Sequence, residues 1–130
     1  MTTAVEVADA LYERWNSDGL SVLSDSVDPD VELICDPLRP TESALHGIDG
    51  WQQWVARWER AYESVRITVD GLVPLDREHV LAFVSITAMP AGASEPLQWA
   101  AAHLWTVREG RIAGWETHLD LAAARQTLDS

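Results

Sequence analysis

The stretch WQQWVARWERAYESVRITVD, residues 51–70, changes its period halfway along. In its first part Trp51, Trp54, Val55, Trp58, Ala61 and Tyr62 recur at three- and four-residue spacing and make one helical stripe. From residue 64 the apolar positions alternate instead. Val65, Ile67 and Val69 are separated by Arg66 and Thr68, the pattern of a half-buried strand. Asp49 stands where it can cap the helix, so the reading is a helix over 49–62 running into a strand.

The periods on either side extend this picture. Upstream, Ala4, Ala8, Leu11, Tyr12 and Trp15 mark a helix over 4–17 that Asp18-Gly19 ends, and a short helical piece follows at Leu20–Ser26. Val31–Cys35 reads as a strand closed by Asp36-Pro37, and residues 36–47, rich in Pro, Ser and Thr, read as a loop. Downstream, Val80–Met89 is almost wholly apolar, as for a central strand covered on both faces. Leu97–Arg108 and Ile112–Leu119 form a hairpin around Glu109-Gly110, and Leu121–Leu128 is a short closing helix. Helical segments first and strands afterwards predict an α+β fold, with helices on one face of a curved antiparallel sheet.

Composition narrows the function. The chain has 130 residues, which supports one domain spanning 1–130, and its 47% apolar content is enough for a core without disulfides or structural metal. Asp and Glu number 21 against nine cations, all Arg, for a formal charge of −12. That charge argues against nucleic acid and anionic membrane surfaces as partners. The absence of Lys removes Schiff-base chemistry and a phosphate-loop lysine. Cys35 is the single cysteine, so there is no internal disulfide and no multi-cysteine zinc site; it reads as a small buried hydrophobe. No signal peptide and no membrane span are legible, so a cytoplasmic domain is expected, and the Arg-, Ala- and Val-rich usage suggests a bacterial gene. The four histidines show no metal-ligand spacing, so neither metal nor cofactor is expected.

Seven tryptophans stand out. Trp15 lies on the first helix, Trp51, Trp54 and Trp58 on the long one, and Trp99, Trp105 and Trp115 on the hairpin. Each alone reads as bulky core, but two sets converging from helix and sheet predict a cavity for a flat hydrophobic ligand. The hairpin register sets its polar lining. A two-residue turn places His103 opposite Glu116; a three-residue loop pairs His103 with Trp115, Ala101 with Thr117 and Trp99 with Leu119. The second keeps Trp99, Ala101, Trp105 and Val107 on an apolar inner face, with His103 its one ionisable group, and puts Glu116 and His118 outside.

The segments LYERWNSDG, VELICDP, HGIDGWQQW and AHLWTVREGRIAGWETHLD resemble the SnoaL-like branch of the nuclear-transport-factor-2-like superfamily, over nearly the whole chain. The resemblance implies a cone-shaped α+β barrel, its sheet wrapped around the long helix and its open end holding a hydrophobic pocket. Members include polyketide cyclases, ketosteroid isomerase, dehydratases, epoxide hydrolases and proteins without chemistry, and homodimers are common. By the same resemblance Asp36 before Pro37 matches the proton-shuttling aspartate of ketosteroid isomerase. His103 falls where that enzyme has its second, hydrogen-bond-donating acid, and Tyr12, or Leu11 if the gap falls elsewhere, near its oxyanion tyrosine. Histidine in place of the buried acid is a departure that argues against a steroid isomerase.

The expected catalytic set is therefore Asp36, His103 and Tyr12, with Trp15, Trp54, Trp58, Trp99, Ala101 and Trp115 holding a hydrophobic ligand. The expected chemistry is cofactor-independent acid/base proton transfer on a cyclic carbonyl compound, of isomerase, cyclase or dehydratase type. Two alternatives stand beside it. One is epoxide hydrolysis, for which the resemblance implies an Asp-Arg-Asp arrangement with no matching Arg on the inner face here; the other is a ligand-binding or assembly module without chemistry. His46 could edge the pocket mouth, and His79 belongs to a solvent turn. Glu116 and His118, with Ala100, Ala102 and Leu104, mark the outer sheet face as a homodimer surface.

Overall fold

The computed structural model describes residues 3–36 and 39–118. Helix α1 (Ala4–Asp18) starts where the Thr3 hydroxyl accepts the Glu6 amide at 3.2 Å, and it buries Ala4, Ala8, Leu11, Tyr12 and Trp15. Gly19, at φ 94°, breaks it, and a 3-10 segment over Leu20–Ser26 leads into β1 (Val27–Ile34). The strand thus begins four residues before the expected Val31. Asp28-Pro29-Asp30 hides its start. The Asp28 carboxylate accepts the Asp30 amide at 2.8 Å, and the pairing register shifts between Val27 and Glu32.

The stretch 36–47, read as loop, holds a one-turn helix α2 (Pro40–Ser43) and a short strand β2 (Ala44–His46) paired antiparallel with β1. Helix α3 (Gly47–Ala61) starts two residues before Asp49. His46 is its N-cap residue with no side-chain cap, and Asp49 lies in the first turn, where its charge suits the positive end of the helix. Trp51, Trp54 and Val55 are buried along the expected stripe, whereas Ala61 is exposed and Tyr62 already belongs to β3 (Tyr62–Pro74).

Strands β3, β4 (His79–Pro90), β5 (Leu97–Arg108) and β6 (Arg111–His118) pair antiparallel in succession. The six strands lie in the order β2-β1-β6-β5-β4-β3. One pair, β1 with β6, is parallel: the last strand comes back beside the first and runs in its direction. The sheet is therefore curved and mixed, and it does not close into a barrel; β2 and β3 remain as edges. Its inner face, with Val80, Ala82, Val84, Ile86, Ala101 and Trp105, forms one core with α1 and α3. β4 is covered on both faces only at its start. Leu81 is buried on the outer side beside Phe83, while Ser85 and Thr87 are exposed.

The hairpin register matches neither expectation. Glu109 (φ 55°) and Gly110 (φ 78°) make a two-residue turn that pairs Arg108 with Arg111. Ala113 is then bulged out, and beyond it Trp105 pairs with Trp115 and His103 with Thr117. His103 faces neither Trp115 directly, as the three-residue loop required, nor Glu116. The bulge restores the parity of the three-residue loop, so the expected faces hold: Trp115 and Thr117 lie inward with His103, Glu116 and His118 outward. The predicted helix Leu121–Leu128 and the pairing of Leu119 lie outside the described residues. No described helix is long and apolar enough to cross a membrane.

Gly50 shows how tightly α3 seats on β2. A Cβ there would stand 2.9 Å from the backbone carbonyl carbon of Leu45. In an open helix Gly→Ala stabilises by about 1 kcal/mol. Here Gly50→Ala should instead destabilise by about 1–3 kcal/mol, read as a lower urea midpoint at unchanged slope.

Candidate active site

Between α3 and the concave face of the sheet lies a cavity of about 690 Å³. Trp54, Arg57, Trp58 and Ala61 line it from α3, Tyr62 from the start of β3, and Ile86 from β4. The β5–β6 hairpin contributes Leu97, Trp99, Ala100, His103, Trp115 and Thr117, and Cys35 closes it from the end of β1. The walls are aromatic. Trp54 packs on Trp115 with ring centres 4.7 Å apart, and Trp58 and Trp99 lie nearly parallel at 17°.

His103 is 1% exposed, and it is the single buried polar or charged residue among those described. It owes its orientation to a chain of hydrogen bonds from behind. Trp105 Nε1 donates to the Tyr12 hydroxyl at 2.7 Å, and that hydroxyl lies 2.7 Å from His103 Nδ1. An indole N–H can only donate, so the Tyr12 oxygen is its acceptor; if His103 Nδ1 donated as well, the buried hydroxyl proton would have no acceptor among the described residues, so the arrangement that pairs every group has Tyr12 donating to His103 Nδ1. His103 Nδ1 is then an acceptor, and the ring proton sits on Nε2. The imidazole is also neutral, since burial, helped by the charge of His118, lowers its pKa from 6.5 to about 3. Burial likewise raises Tyr12 far above the usual tyrosine range, although the bond from Trp105 works in the other direction. The site thus has a neutral N–H donor held at the cavity wall by two buried hydrogen bonds.

The sequence-predicted residues divide accordingly. The structure brings Trp54, Trp58, Trp99, Trp115 and His103 together around the cavity. Tyr12 touches it only through His103. Trp15 does not line it, because it packs behind Trp54 and Trp58 at 6.0 and 5.4 Å. Ala101 is buried in the core, with no side chain long enough to reach the lumen. Asp36 follows the lining Cys35 but is not itself among the lining residues. Its carboxylate is partly exposed and lies 3.5 Å from Arg39, while its backbone is held by the Ser43 hydroxyl. His46 does not edge the mouth; it faces Glu32 across the β1–β2 pair at 3.4 Å. His79 closes the turn with Asp76. Ala100, expected on the outer face, borders the cavity rim.

Arg57 was not foreseen. It sits three residues after Trp54 and one before Trp58, at the edge of the apolar stripe, and that spacing was the available signal. Cys35 lies close enough to feel its charge, yet burial dominates and pushes the thiol pKa up, so the sulfur stays protonated. Among the described residues no group of three or more His, Cys, Asp or Glu could hold a metal ion.

The sequence profile of the SnoaL-like domain matches residues 8–115. No protein of curated function matches the chain. Among solved structures it is similar to a nuclear-transport-factor-2-like protein of unknown function from Burkholderia pseudomallei, at 16% identity over 100% of both chains with TM-score 0.76. It is also similar to a putative SnoaL-like polyketide cyclase from Jannaschia, at 18% identity over 95% of this chain and 89% of that one, TM-score 0.71. A third is TerC co-crystallised with polyporic acid, at 17% identity over 99% and 100% of the two chains, TM-score 0.72. At these identities the likeness speaks for the fold.

A histidine that is neutral when folded and titrates near 6.5 when unfolded binds its proton first in the unfolded chain. Its penalty is absent above pH 6.5 and grows as pH falls toward 3. Between pH 7 and pH 5 wild type should lose about 2 kcal/mol more stability than His103→Gln, measured by urea unfolding at the two pH values.

Proposed function

The chain belongs to the SnoaL-like domain family, and from that premise we propose that it is an enzyme needing no cofactor that moves protons on a flat, hydrophobic, carbonyl-containing small molecule. Isomerisation, cyclisation and dehydration share this chemistry. The observation that carries the reading is the Trp105–Tyr12–His103 chain, which holds a neutral imidazole with its Nε2 proton available at the cavity wall. Such a donor stabilises charge growing on a substrate oxygen without surrendering its own proton at neutral pH. Tyr12 acts as a positioning residue. In this proposal Asp36 carries the proton between carbons, leaving its contact with Arg39 to reach the mouth beside Cys35. A similar structure with polyporic acid bound supports small-molecule occupancy.

A second reading, binding without chemistry, is favoured by one observation: no carboxylate is among the described lining residues. The same lack weighs against epoxide hydrolysis, which would need two carboxylates around an arginine; the arginine present, Arg57, comes from α3 and not from the sheet. Mass spectrometry of small molecules co-purified with the protein supplies the substrate class for the test. With that compound, His103→Gln should lower kcat by about 10²–10³-fold and Asp36→Asn by about 10²-fold or more. Full activity in both variants overturns the site, and a ligand recovered unchanged after long incubation favours the binding module.

The outer face of β4 and β5, where Phe83 and Leu104 are partly exposed over the buried Leu81 and Ala102, supports a homodimer, flanked by the Glu116–His118 pair at 3.4 Å. Sedimentation velocity at micromolar concentration should then give twice the mass of one chain, and a monomer at neutral pH overturns this assembly.

A further inference from the structure

We infer that the molecule bound in this cavity carries an acidic group, ionised at neutral pH, which sits against Arg57 while its flat frame lies among the tryptophans. The inference rests on reading the cavity as a ligand site and specifies the ligand's charge. Acidic residues outnumber arginines by 21 to 9 in the chain, yet the one formally charged residue among the described lining is an arginine. The ion pairs among the described residues engage Arg14, Arg39 and Arg108 and leave Arg57 without a carboxylate partner. A guanidinium at the entrance of an apolar space favours a carboxylate, enolate or phenolate.

The inner polar groups point the same way. Trp115 is 4% exposed and lines the cavity, and its Nε1 is the described buried side-chain nitrogen or oxygen that lacks any hydrogen-bond partner. A buried N–H without an acceptor is costly, and a ligand oxygen would relieve it only where the indole shifts to open Nε1, closed to solvent here, toward the lumen. His103 offers a second donor through Nε2. The exposed Arg57 marks the outer end of the lumen and the buried His103 its inner end, so donors stand at both. The complementary ligand is rich in acceptors and anionic toward solvent. An aromatic cage alone would suit a quaternary ammonium group, but Arg57 repels one. The charge of −12 repels anions at long range, so the attraction has to be local, at contact with Arg57.

Three probes sharing one ring system test this: anthracene-2-carboxylate, its neutral carboxamide, and the 2-trimethylammonium analogue, each in equilibrium dialysis with the full chain at neutral pH. Arg57→Gln is the site variant. Arg60→Gln is the control, since it removes the same charge from the same helix at a residue outside the lining, bonded to the Ala56 carbonyl at 3.3 Å. The carboxylate should bind wild type about tenfold more tightly than the carboxamide, lose that advantage in Arg57→Gln and keep it in Arg60→Gln. Equal binding of carboxylate and carboxamide, tightest binding of the cation, or equal loss in both variants overturns the anionic ligand while leaving the cavity a binding site. Binding of none of the three overturns the site reading and the inference with it.

Discussion

The Tyr12 hydroxyl makes two buried hydrogen bonds across the core. It joins the middle of α1 to β5, residues 91 and 93 positions apart in the chain, inside a core from which water is excluded. Each of its partners would cost about 1–3 kcal/mol if left buried and unpaired, so the docking of α1 is specified by polar satisfaction as well as by its apolar stripe. The same bonds fix the ring of His103, and with it the tautomer presented to the cavity. Removing the hydroxyl would orphan an indole donor and an imidazole acceptor together, so the fold and the site share one constraint.

Keeping His103 on the correct face depends on a second local feature. A tight turn at Glu109-Gly110 by itself would set His103 opposite Glu116, and the inner face of β6 would then carry Glu116 and His118. The bulge at Ala113 moves β6 by one residue and returns Trp115 and Thr117 to the inner face. Gly114 is part of the arrangement: a Cβ there would come within 3.1 Å of the Thr106 hydroxyl, so a side chain at 114 would require the Thr106 side chain to give by a few tenths of an ångström. The aromatic cavity wall is thus set by irregular backbone at the far end of the hairpin.

These features also define what the sequence made legible. Both long helices and β3 follow from the period of their apolar residues, β4 from its nearly unbroken apolar run, and β5 and β6 from the turn at Glu109-Gly110 between them. The beginning of β1 was hidden because Asp28-Pro29-Asp30 is turn chemistry inside a strand, and β2 because three residues are too few to show a period. The register was misread because Ala113 carries no mark of a bulge. The face survived because the assumed and actual pairings differ by two residues, which preserves parity. His103 was found as an inward ionisable group. Its protonation was not legible, since that rests on Trp105 meeting Tyr12 across the core. Trp15 could not be told from a lining tryptophan because it lies on the same aromatic cluster, one layer behind.

The electrostatics separate the two ends of the cavity. His103 cannot take a proton at neutral pH: its Nδ1 is occupied by Tyr12, its Nε2 already carries hydrogen, and burial opposes the charged form. In the proposed reaction it suits the holding of a developing oxygen charge and does not suit the part of a base. A group that accepts a proton from carbon must stay ionised, which requires solvent or a counter-charge. Asp36, the carboxylate proposed for that step, is partly exposed to solvent at the start of the loop. The burial that makes His103 a good neutral donor would neutralise a carboxylate placed next to it. The proposed reaction therefore calls for a dry, uncharged inner wall at His103 and a solvated rim for its carboxylate.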